Sequence, residues 1–229
     1  MQATPDPGAP SGAAPSSYPV NFSVDYPDRP LNRLTSFFRV FVVIPIAIVL
    51  GTVISGGEHA GWGQNGGDQG SGGGGWAVAG FGGALFWGPL LMILFRQKYP
   101  GWWFDWNLEL QRFANRVTTF FLLMSDRYPA TDDHQYVRLD YPRPEHGRLN
   151  RFLPLVKWLL AIPHYIVLFF LHIGLIVVVI IVWFAILFTG RYPRALFDYV
   201  EGVLRWHNRV VAYAFTLVTD RYPPFRLDP

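Results

Sequence analysis

The 229-residue chain is 51% hydrophobic and only 15% charged, where soluble domains average roughly a quarter charged. Its formal net charge of +3 is small and its arginines are interleaved with acids, so composition argues against nucleic acid as a partner. The absence of cysteine excludes disulfides, thiolate metal sites and cysteine nucleophiles.

Residues 1–17 contain four prolines and no Lys, Arg or apolar run. They read as a disordered tail, without the charged and hydrophobic regions of a cleaved signal peptide. The alternation Val20-Phe22-Val24 predicts a short strand. An apolar run at 35–54, holding Arg39 and Ile44-Pro45, is long enough for a membrane span, and a second lies at 76–95. Between them, 55–75 is dominated by glycine and reads as a flexible external loop. Trp102, Trp103 and Trp106 open an amphipathic helix expected over 102–124.

Val137-Leu139-Tyr141 alternates as a second strand, expected to pair with the first. The longest apolar run follows. A single helix from Leu155 to Phe188 would be roughly 50 Å long, against a hydrocarbon core of about 30 Å. It is therefore expected to double back near His172-Ile173-Gly174, giving spans at 154–172 and 174–190, with shallow insertion of this hairpin, without crossing, as the alternative. A second amphipathic helix is expected over 195–218, with Glu201 and Arg205 placed for an i,i+4 pair. Both amphipathic helices are expected in the interface or beneath the spans.

The two halves of the chain correspond. Asp25-Tyr26-Pro27, Leu31-Asn32-Arg33, Arg39 and Ile44-Pro45 match Asp140-Tyr141-Pro142, Leu149-Asn150-Arg151, Lys157 and Ile162-Pro163. Farther on, Arg112, Asn115 and Arg116 match Arg205, Asn208 and Arg209, and each half closes on Asp-Arg-Tyr-Pro, at 126–129 and 220–223. Residues 18–130 and 131–229 thus read as tandem units. The first holds 25 more residues between its Ile-Pro and Leu-Phe landmarks, the surplus being the glycine-rich stretch. The expected fold is mainly α: two helical-hairpin repeats with four transmembrane helices, amphipathic helices and short strands.

None of the 19 Lys and Arg residues falls in the glycine-rich loop or the 172–174 turn. The positive-inside rule then sets both termini in the cytoplasm, and because arginine outnumbers lysine 17 to 2, the bias of a GC-rich bacterial genome, the membrane is read as a bacterial plasma membrane. The spans are near or somewhat under the usual length, a shortfall that snorkelling of Arg39 and Lys157, local thinning of the bilayer or tilt of neighbouring helices can absorb. Seven Tyr-Pro pairs, whose tyrosines are at 18, 26, 99, 128, 141, 192 and 222, read as punctuation that ends elements and sets phenol rings at the interface.

Reactive chemistry finds little foothold. His164 and His172 are about 12 Å apart along one helix, too far to share a metal, while His59, His134, His146 and His207 are scattered. Asp105, Glu109, Asp198 and Glu201 lie beside arginines and read as ion-paired. No catalytic residue, cofactor-binding residue or metal ligand is assigned, and no cofactor is expected.

Asp140-Tyr141-Pro142, Leu149-Asn150-Arg151, the run Trp158 through His164, the run Trp183 through Pro193 and Thr219 through Phe225 together resemble domain-of-unknown-function family 4389. The first unit resembles it with departures, having Phe95-Arg96-Gln97-Lys98 where the pattern has Phe-Thr-Gly-Arg. The resemblance implies a bacterial, mainly actinobacterial, multi-pass membrane protein with no established activity, and supplies no site residues. A non-catalytic scaffold or accessory subunit is expected, with the lipid bilayer and other membrane proteins or a second copy as partners. A small-solute or ion transporter or channel is the alternative, and a lipid-acting enzyme a third.

Overall fold

The structure, a computed structural model, describes residues 18–27, 30–55, 90–95, 100–130, 136–144, 149–150 and 152–228. The expected tail, glycine-rich loop and most of the 76–95 span lie outside these residues, as do His59, His134, His146 and Tyr99. Among the described residues the fold is mainly helical with one small sheet. In chain order it runs β1 (Asn21–Val24), α1 (Arg33–Ser55), α2 (Gly101–Phe121), β2 (Val137–Asp140), α3 (Leu153–Leu160), α4 (Ile162–Thr189) and α5 (Arg194–Ala214). Residues 90–95 are also helical.

The two strands pair antiparallel, as their alternation predicts, with Phe22 opposite Leu139, Ser23 opposite Arg138 and Val24 opposite Val137. Phe22, Val24, Val137 and Leu139 face the core and the residues between them face out, the period-two pattern of a half-buried sheet. The main core gathers these side chains with Phe104, Met124, Val182, Ile186, Phe197 and Val203. A smaller cluster of Ala161, Leu168, Trp206, Val210, Tyr213 and Ala214 joins α4 to α5.

The amphipathic helices form where periodicity places them, as α2 and α5. Each begins directly after a proline in extended conformation, Pro100 and Pro193, since the ring lacks the N–H that a helix interior would require. In α5 the apolar side chains Phe197, Val200, Val203, Leu204 and Val210 are buried, while Asp198 and His207 stay exposed.

The expected reversal at His172-Ile173-Gly174 does not occur. Helix α4 runs unbroken from Ile162 to Thr189, so the second half of the chain holds one long helix where two spans were expected. Its start fits Pro163 in the first turn, where the missing N–H costs no hydrogen bond, and Gly190 closes it at φ 72°, a left-handed conformation that a side chain would strain. Gly174 makes no turn. It lies against α5, where a Cβ would come within 2.7 Å of the Tyr199 hydroxyl, and that hydroxyl donates to the Leu171 carbonyl at 3.1 Å. The glycine serves a close helix crossing, at a propensity cost of about 1 kcal/mol relative to alanine.

Among the described residues one helical stretch, Leu153–Thr189, is long and apolar enough to cross a membrane. Only 17% of its most apolar 18-residue window is buried. Ile166, Phe169, Phe170, Ile173, Ile176, Ile180, Phe184 and Phe188 all stand exposed on α4, and Leu34, Phe37, Phe38, Phe41 and Ile48 on α1.

Candidate functional site

Two surface clefts stand where the Asp-Arg-Tyr-Pro segments follow α2 and α5, the inner helices, which pack behind α1 and behind α3 and α4, the outer ones. One, of 480 Å³, is lined by Tyr26, Leu31, Asn32, Ser125, Asp126 and Arg127. The other, of 360 Å³, is lined by Tyr141, Leu149, Thr219, Asp220 and Arg221 among others.

The first is built from the end of α2. Leu123 turns the chain with φ 65°, and the Met124 N–H donates back to the Thr119 carbonyl at 3.0 Å. This turn delivers Asp126 to the start of α1, where its Oδ2 accepts the Asn32 backbone N–H at 2.7 Å. Asn32 in turn receives the Leu34 N–H on its side-chain oxygen at 3.0 Å, satisfying a donor that the helix start leaves open. Arg39, 2% exposed, pairs with Asp126 Oδ1, donates to the Phe120 carbonyl at 3.0 Å and sits 4.6 Å over the Phe120 ring.

The second cleft follows the same plan. Leu217 turns the chain at φ 56° and the Val218 N–H donates to the Ala212 carbonyl at 3.1 Å. Asp220 Oδ2 accepts the Asn150 N–H at 2.7 Å, and the Asn150 side chain accepts the Phe152 N–H at 3.1 Å. Lys157, fully buried, pairs with Asp220 at 2.6 Å, donates to the Thr219 carbonyl at 2.8 Å and lies 5.2 Å over the Tyr213 ring. In both places a carboxylate receives a cation and a backbone N–H together. Each cleft floor is therefore a clip, fastening the start of an outer helix to the end of an inner one.

Of the ways to accommodate short spans, snorkelling of Arg39 and Lys157 is not the one taken. Both cations turn inward, because a partly exposed carboxylate and a carbonyl supply the charge and hydrogen bonds that a buried cation requires. The Tyr-Pro tyrosines also depart from expectation: Tyr18, Tyr141 and Tyr192 are core residues. Tyr26 and Tyr192 flank Phe197 edge-on at 5.0 and 5.4 Å, while Tyr141 meets Phe104 at 5.5 Å. Burial pushes the phenols of Tyr18, Tyr141 and Tyr192 well above the usual tyrosine range, so they remain neutral. Tyr128 and Tyr222 stay exposed.

Between α2 and α5, Asn115 and Asn208 exchange hydrogen bonds of 2.8 and 2.9 Å through their side-chain amides. Arg112 Nε donates to the Leu139 carbonyl at 2.9 Å and Arg205 Nε to that of Phe22 at 3.0 Å, so each inner helix holds one strand. The expected i,i+4 pair of Glu201 and Arg205 forms at 2.7 Å. Burial nevertheless raises the Glu201 carboxyl above its ordinary range, with Arg205 and the Val24 N–H opposing the shift. Asp105 pairs with Arg143 at 2.5 Å, Glu109 with Arg112 at 2.6 Å and Asp198 with Arg194 at 3.3 Å.

His164 is buried, accepts the Trp206 indole N–H on Nδ1 at 3.1 Å and stacks on Phe225 with centroids 4.0 Å apart. His172 hydrogen-bonds the Leu168 carbonyl at 2.6 Å. The fold brings it to a ring separation of 5.5 Å from His207, a proximity that the sequence spacing does not reveal.

Residues 154–226 match the model of a family described as "Domain of unknown function (DUF4389)". The matched segment covers nearly all of α3, then α4 and α5, and of the second clip it includes Lys157 and Asp220 but not Asn150. No curated protein matches the chain, and no solved structure does.

Proposed function

We propose that the chain is a non-catalytic scaffold or accessory subunit of a bacterial plasma membrane, built from two copies of one unit related by a pseudo-two-fold axis. The outer apolar layer of α1, α3 and α4 binds the bilayer, and the inner layer of α2, α5 and the sheet offers a polar cytoplasmic surface to protein partners. One observation carries this reading. The cations within the apolar helices, Arg39 and Lys157, turn away from the outer face onto the Asp126 and Asp220 clips, leaving a wide apolar surface that water would not tolerate.

Support for the two-copy reading comes from residues at matching sequence positions that take matching contacts. Arg39 and Lys157, Asp126 and Asp220, Asn32 and Asn150 do so in the clips. Leu123 and Leu217 share the left-handed turn. Two matched pairs meet each other: Asn115 bonds Asn208, and Ser23 stands opposite Arg138 in the sheet. Contacts of this self-reciprocal kind are what an isologous two-fold interface produces. The scaffold reading draws on the same inventory, since the buried ionisable groups of the clips are engaged in fastening helices.

Extraction of the full chain in mild detergent, followed by mass determination of the purified particle, tests the scaffold role. A stoichiometric complex with another membrane protein, or a defined homo-oligomer, is expected. Repeated recovery as a lone monomer contradicts it.

A further inference from the structure

We infer that α3 and α4 lie along the membrane surface, sunk into one leaflet by their outer face, and do not cross the bilayer. This rests on the membrane reading above and specifies its geometry.

The outer face is sharply bounded. At 100° per residue, the large exposed side chains of α4, from Ile162 through Ile166, Phe169, Ile173 and Ile180 to Phe188, fall within an arc of roughly 140°. The opposite stripe, His164, Leu168, Leu175, Val182 and Ile186, is buried from one end of the helix to the other. Apart from His164 that stripe is itself apolar and packs on the core, so the polarity of what lies behind it bears on how the helix meets lipid.

What lies against the inner side decides between resting and crossing. Polar contacts reach the helix along its whole length. Lys157 meets Asp220 near the start, Trp206 meets His164, Tyr199 bonds the Leu171 carbonyl, and Arg33 donates to the Phe188 carbonyl at 3.3 Å near the end. Leu171 is the midpoint of Leu153–Thr189. Were this stretch to cross, Tyr199 would be held at the bilayer centre, and the exposed Asp198 and the Glu201–Arg205 pair would lie within two turns of it. That is the depth at which ionised side chains are least tolerated. In the plane of the membrane, the same groups stand a helix diameter, about 10 Å, above the lipid-facing arc.

Length and rim agree. Helix α4 alone, with 28 residues, is about 42 Å long and exceeds a hydrocarbon core of about 30 Å, whereas an interfacial helix has no such limit. Trp158 is exposed near one end and Arg33, Arg191 and Arg194 near the other, residues suited to headgroup level. The large side chains of the arc carry no polar group that would fix the register of a protein partner. Fluid acyl chains are the occupant that such a surface accepts.

Because the chain has no cysteine, one can be introduced at any chosen depth marker. Ile166→Cys, Ile173→Cys, Ile180→Cys and Phe188→Cys, all at exposed positions, would each be labelled with an environment-sensitive fluorophore. Each full-length chain would be reconstituted into phosphatidylethanolamine–phosphatidylglycerol vesicles, with quenchers placed on lipid headgroups or deep in the acyl chains. The same shallow depth at all four sites, with every site on one leaflet, is the result expected. A depth maximum at position 173, with 166 and 188 reporting opposite leaflets, overturns the in-plane geometry and leaves the membrane reading intact. Absence of lipid quenching at every site, in protein of unchanged helicity, overturns both and points to a protein partner on this face.

Discussion

Asn115 and Asn208 show how much structure a single matched residue can carry. Each buried amide donates to the other and also to a carbonyl of its own helix, Gln111 or Leu204, at 2.8 and 2.9 Å. Removing one leaves the other buried and short of a partner, which costs more than the net value of the bond itself. Asn208→Leu is expected to destabilise the detergent-solubilised protein by about 1–3 kcal/mol. Asn115→Leu combined with Asn208→Leu should cost less than the sum of the two single changes, as thermal melts of the three variants would show. The sequence displays both residues at matching places but says nothing of their meeting, because contact between residues 93 positions apart depends on how α2 and α5 dock. Arg39 and Lys157 were likewise visible, as were Asp126 and Asp220. Their pairing was not, since a cation in an apolar run suits an outward snorkelling chain as well as an inward clip until the neighbouring helix end is placed.

Periodicity made most of the regular elements legible. The two strands, α1, α2 and α5 arise where alternation, apolar runs and helical spacing put them, and each inner helix starts after the proline of a Tyr-Pro pair. The failure at α4 has a specific cause. A glycine in the middle of an apolar run suits a reversal and a close helix crossing equally, and the tyrosine that distinguishes them lies 25 residues away, at Tyr199. Helix propensity alone would make Gly174→Ala stabilising by about 1 kcal/mol. Here the new methyl group must displace the Tyr199 hydroxyl, which would otherwise be 2.7 Å away, and so break its bond to Leu171. The expected outcome is a lowered melting temperature for Gly174→Ala, and recovery when it is combined with Tyr199→Phe, which removes the colliding atom. If Gly174→Ala melts higher by itself, the close crossing is not what the glycine serves.

At the scale of the whole molecule two layers differ in what they can face. The inner layer, with its ion pairs, its amide exchange and its sheet, could stand in water. The outer layer differs, its largest side chains being apolar and exposed along α1, α3 and α4, which is what the proposed membrane reading draws on. Composition leads one to expect lipid contact, and in the reading proposed above the geometry of that contact depends on the charged helix packed behind the apolar one, which no hydropathy window contains. The most direct test is retention of the full-length protein in membranes washed with alkaline carbonate, compared with a variant carrying Phe169→Gln, Phe170→Gln, Ile173→Gln, Ile176→Gln and Ile180→Gln on the outer arc. The account predicts that the unaltered chain stays with the membrane pellet while the variant, with its helicity preserved, is released. Release of the unaltered chain into the supernatant would contradict it.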